Sequence, residues 1–62
     1  MQIEINAINT AGLWYGHVIV NGKMVHQEKI GLSERDKAIA EARAWLAVEK
    51  QKGVFKQENA LN

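Results

Sequence analysis

The sequence predicts an α+β fold, a three-stranded antiparallel β-meander with one C-terminal α-helix packed on one face (βββα). Three observations carry that prediction. Gln2 to Ile8 alternates, with Ile3, Ile5 and Ala7 on one side and Gln2, Glu4 and Asn6 on the other, the period of a half-buried strand. Asn21-Gly22 sits between β-branched runs, and an Asn-Gly pair there signals a type I′ hairpin, since that turn needs positive φ at both central residues. Lys37 to Lys52 is rich in Ala, Glu, Lys, Leu and Arg, all strong helix formers.

The hairpin spans Leu13 to Ile30, and a two-residue loop fixes its register. An unbroken ladder pairs Val20 with Lys23, Ile19 with Met24, Val18 with Val25 and His17 with His26. Directly paired residues share a face. One face then carries Trp14, Gly16, Val18, Val20, Val25, Gln27 and Lys29. The other carries Leu13, Tyr15, His17, Ile19, Met24, His26, Glu28 and Ile30. A sheet with one wet face should alternate apolar and polar residues, but this hairpin is apolar on both sides.

Asn9-Thr10-Ala11-Gly12 reads as a polar turn joining the first strand to the second. At the other end, Ser33 is expected to cap the helix through its hydroxyl. Asp36 stands three residues on, as in a capping box. Gly53 is the expected C-terminal stop, with Lys50 and Lys52 in the last turn. Val54 or Phe55 would fold back on that turn. The domain is read as residues 1–55, with 56–62 a frayed tail. The helix has an apolar face of Ala38, Ile39, Ala42, Trp45 and Leu46. Ala40, Ala44, Ala47 and Val48 lie off it, where small residues need only helix propensity to account for them. The helix is expected to take the Trp14, Val18, Val20 and Val25 side of the hairpin, because Gly16 leaves room there for a close approach.

Sixty-two residues make one small domain that buries only ~60% of its unfolded surface. There is no Cys, so neither a disulfide nor a thiolate metal site supports the core. Help from oligomerisation is a natural expectation for such a chain. No apolar run is long enough to span a membrane, and no signal peptide is read at the start, which favours the cytoplasm. Eight Lys and Arg against seven Asp and Glu give a net charge of +1, less basic than a typical nucleic-acid domain.

No nucleophile-and-base pair, paired carboxylate or phosphate-binding Gly loop is recognisable. One sheet and one helix offer little volume for a substrate cleft. The chain is therefore read as non-enzymatic, with no cofactor and no small-molecule substrate. His17 and His26, facing each other with Glu28 nearby, approach a metal-ligand set, but the ligand count falls short and no metal is assigned. Two imidazoles in contact would resist double protonation, so an interface over them should weaken near pH 6.

One helix cannot cover both sides of a sheet, and an apolar face left bare in a soluble domain marks a contact surface. The interface residues expected are Leu13, Tyr15, His17, Ile19, Met24 and His26. The partner is a second copy of the chain or another protein. Nucleic acid is the other partner class, with Lys23, Lys29, Arg35 and Arg43 as phosphate contacts.

Gly12-x-Trp14-x-Gly16-x-Val18, Asn21-Gly22-Lys23 and Ala38-x-x-x-Ala42, in that order, resemble the three-stranded-sheet-plus-helix domains at the N-termini of phage and transposon tyrosine integrases. They also resemble the related plant ethylene-response DNA-binding domain. The resemblance covers about residues 12–46. It implies the βββα architecture, a phage or mobile-element origin, and a sheet face that enters the DNA major groove with Arg and Lys. Here the corresponding face offers Tyr15, His17, His26 and Glu28 instead.

Overall fold

The structure is a computed structural model and describes residues 1–53. It has the expected βββα order. Strands β1 (Ile3–Thr10), β2 (Leu13–Val20) and β3 (Lys23–Gln27) form one antiparallel sheet in chain order, and α1 (Arg35–Lys52) follows. The supposed backward fold of Val54 or Phe55 and the frayed tail at 56–62 lie outside the described residues.

Both hairpins close with two-residue turns in the left-handed region. Asn21 and Gly22 have φ of 52° and 83°, and Ala11 and Gly12 have 54° and 87°. The first turn is thus tighter than the four-residue turn expected at Asn9–Gly12, and β1 runs on to Thr10 opposite Leu13. The second turn also ties the sheet together. Asn21 N–H donates to the Gln2 carbonyl (2.8 Å), and Gln2 N–H donates to Asn21 Oδ1 (3.0 Å).

α1 lies across β1 and β2. Ile3 and Ile5 pair with Val20 and Val18, and these four pack with Ala42, Leu46 and Trp45 to form the core. The helix takes the side of Val18, as expected, and Gly16 is the reason it can lie so close. A Cβ built there would collide with the Ala38 carbonyl oxygen and stand 3.0 Å from Ala42 Cβ. Ala38 and Ala42 are buried with Leu46 on the inner helix face, at the three-to-four spacing the sequence shows.

The helix ends differ in how well they were foreseen. Gly53 stops it in the left-handed conformation (φ 86°), its N–H reaching the Lys50 carbonyl at 3.1 Å. At the start, the N-cap is Glu34, not Ser33, and no side chain caps the helix. Leu32 is held back in a bridge to Trp14, the chain bends at Ser33, and Glu34 is still extended (φ −126°, ψ 135°) before the helix begins at Arg35.

A bulge moves β3 by one residue. Val20 faces Lys23 and Ile19 faces Met24, but Val18 then faces His26 and His17 faces Gln27. Val25 is the extra residue, and it is 42% exposed instead of buried beside Val18. A one-residue slip exchanges the faces of everything beyond it.

Candidate functional site: the open sheet face

Strand alternation and the observed register define the face that α1 leaves uncovered. β1 contributes Glu4, Asn6, Ile8 and Thr10, and β2 contributes Leu13, Tyr15, His17 and Ile19. β3 contributes Met24 opposite Ile19, and Gln27 opposite His17. Five of the six residues expected at the interface are brought together here. The sixth, His26, is not.

His26 lies on the helix side because the Val25 bulge turns it over. Its ring stacks on Trp45, with centroids 4.0 Å apart and planes 7° from parallel. Its Nε2 meets Glu28 Oε2 at 2.6 Å. His17 and His26 therefore stand on opposite sides of the sheet, and the two imidazoles expected to face each other do not meet. Among the described residues, no group of three His, Asp or Glu side chains is placed to hold a metal.

At the centre of the open face, His17 is 4% exposed, and its Nε2 is buried without a hydrogen-bond partner among the described residues. Burying an unsatisfied polar atom costs ~1–3 kcal/mol, and native structures keep few of them. Around this row the face is apolar and accessible. Ile8 is 50% exposed, Leu13 39% and Met24 52%. Tyr15 and Ile19 are half-buried.

The segment after β3 adds a residue that periodicity could not find. Glu28 N–H donates to the Gly16 carbonyl (2.8 Å), and Trp14 and Leu32 exchange two hydrogen bonds (2.7 and 2.9 Å). Between these anchors Lys29, Ile30 and Gly31 leave the ladder opposite Tyr15 alone. Gly31 is wedged against the open face, where a Cβ would stand 2.6 Å from Leu13 Cβ and 2.8 Å from Tyr15 Cζ. Ile30, its neighbour, is 76% exposed. A hydrophobe in a surface loop reads as ordinary in sequence, and only the two anchors show that it is held out.

Neither sheet edge invites a further strand. Asn6 Oδ1 accepts from Ala7 N–H (2.9 Å) and from Arg35 Nη2 (3.3 Å), covering the middle of β1. β3 is five residues long and bulged. Polar cover, short strands and bulges are how edges resist pairing.

The four candidate phosphate contacts do not share an element. Lys23 begins β3, Lys29 is in the loop, and Arg35 and Arg43 lie on α1. The strands place no Lys or Arg on the open face. A wide trough beside Trp45 carries Glu28 and Glu49. Glu28 is bonded to His26, and Glu49 to Lys52 at 3.4 Å, so these two carboxylates are partnered within the chain.

Among the described residues no helix is long and apolar enough to cross a membrane. Comparison of the chain with protein-family models, curated proteins and solved structures returns no match. The class the coordinates define is a small α+β domain with one sheet face uncovered.

Proposed function

We propose that this chain is a small non-enzymatic interaction domain that forms a homodimer through its open sheet face. The observation that carries the reading is the exposure of Ile8, Leu13 and Met24 around a buried His17 on a face that α1 touches only through Arg35 at Asn6. Covering those side chains is favourable at ~25 cal/mol per Å² of apolar surface removed from water. Blunted edges favour face-to-face packing over strand addition. A two-fold pair is the commonest closed assembly, and a face whose strands carry one carboxylate and no Lys or Arg meets a copy of itself with little repulsion. The interface residues are Leu13, Tyr15, His17, Ile19 and Met24, with Ile8 on the same face and His26 on the other. The nucleic-acid reading draws no support from this distribution of charge.

Light scattering on the full chain at about 100 μM, at low and high salt, tests the reading. A dimer at both salts is expected, because apolar contact is not screened. Tyr15→Glu places a charge in the interface and should give a folded monomer. A wild-type monomer at both salts sinks the proposal, as does a Tyr15→Glu variant that dimerises like wild type.

A further inference from the structure

The loop after β3, whose Gly31 lies against the open face, carries an exposed hydrophobe at one end of the sheet, and a recess lies at the other. The hydrophobe is Ile30, the most exposed large hydrophobic residue described, at 76%. Its exposure is not fraying, since the loop is bonded to β2 on both sides, at Gly16 and at Trp14. The recess, about 100 Å³, lies at the Asn21-Gly22 end and is lined by Gln2, Glu4, Ile19 and Gly22. That is about the size of a small aliphatic side chain. Glu4 and Ile19 pair across the strands on the open face. Gly22 leaves the recess open, with nothing within 4 Å of where a Cβ would stand.

A two-fold axis in the plane of the interface, running across the strands near His17, exchanges these two ends. The Trp14 end of one copy then lies over the Asn21-Gly22 end of the other. Packed sheets cross at ~30° because each is twisted, and a tilt of that order can carry the loop beside β3 toward the recess between β1 and β2. Charge agrees with this register. Glu4 is the only Asp, Glu, Lys or Arg that the strands place on the open face, and Lys29 is the residue next to Ile30. We infer that two copies pack with opposed strand directions, Ile30 of each seated in the other's Gln2–Glu4–Ile19–Gly22 recess and Lys29 beside Glu4. This register rests on the face-to-face dimer proposed above. It makes each contact twice and leaves no copy of it unfilled, so assembly stops at two.

Charge exchange tests the register, with dimer dissociation read by sedimentation on the full chain. Lys29→Glu and Glu4→Lys should each weaken the dimer ~3- to 10-fold, the range of a rim ion pair counted twice. Combining them should restore most of the loss. Ile30→Asp should weaken it by ~30-fold or more, since a buried aliphatic contact is lost on both sides. The chain has no native Cys, so an Ile30→Cys chain mixed with a Gln2→Cys chain under mild oxidant should give a disulfide-linked pair. If the wild type dimerises and Tyr15→Glu is monomeric, yet Ile30→Asp and the charge exchange change nothing, the register is wrong while the dimer stands. A wild-type monomer removes both.

Discussion

His26 and Trp45 stack in parallel, 4.0 Å between ring centroids, and this contact joins β3 to the helix. The same imidazole meets Glu28 at 2.6 Å, both side chains being about one-fifth exposed. Stacking contributes ~0.5–1.5 kcal/mol beyond area burial, and a side-chain hydrogen bond ~1 kcal/mol net. His26→Ala should therefore destabilise the domain by ~1–2 kcal/mol in urea unfolding. His26→Phe, which keeps the stack and loses the Glu28 contact, should recover about half. If His26→Ala unfolds at the wild-type urea midpoint, the stack contributes nothing.

That contact also marks where sequence reasoning failed. The Asn21-Gly22 turn fixes two pairs correctly, Val20 with Lys23 and Ile19 with Met24. Beyond them an unbroken ladder put Val25 inside and His26 outside, and β-branched Val is the natural choice for an inner position. Nothing local to Val25 signals a bulge. The preference that wins is tertiary, an imidazole meeting an indole from the helix and a carboxylate two residues on. The helix was legible throughout its middle, because Ala38, Ala42 and Leu46 follow the helical period. Its start was not, because the Trp14–Leu32 bridge keeps Ser33 outside it. On the candidate site, the five β2 and early β3 residues were legible from alternation. Ile30 was not, since its position depends on backbone bonds 12 and more residues away in sequence.

The Ala11-Gly12 turn was misread for a simpler reason. Ala11 holds φ at 54°, where an L-residue with a Cβ is strained by ~1 kcal/mol, so Ala-Gly carries no turn signal. Ala11→Asn converts it to the Asn-Gly pair that the second hairpin already uses. The expected result is a gain of ~0.5–1 kcal/mol, read as a rise in Tm of ~2–8 °C for a domain this small. A lower Tm would mean that something other than turn strain holds Ala11 there.

Asn6 guards the β1 edge. Its Oδ1 takes the Ala7 N–H and a donor from Arg35, so the side chain lies over backbone that another strand would use. Asn6→Val removes that cover and adds a β-branched residue to a long edge. The expected outcome is concentration-dependent growth of species larger than a dimer, with thioflavin-positive material on standing. An Asn6→Val chain with the wild-type mass distribution over days would show that the edge is protected by other means.

Gly16 is where the sheet and helix approach most closely, and the argument there is steric. An added methyl would meet the backbone oxygen of Ala38 and the Cβ of Ala42. Neither is the free end of a flexible side chain, so relief requires α1 to lift from β2. Lifting it loosens Val18, Ala42 and Leu46 together, three buried residues that pack as one cluster. Overpacking of this kind costs ~1–3 kcal/mol where the backbone can adjust. In a 62-residue chain that is a large share of a net stability near ~5 kcal/mol. Gly16→Ala should lower Tm by ~10 °C or more. Pairing it with Ala42→Gly should recover only part of the loss, because the clash with the Ala38 carbonyl remains and glycine weakens the helix by ~1 kcal/mol. Full recovery in that double variant would place the whole conflict at Ala42 and leave the helix backbone free to move.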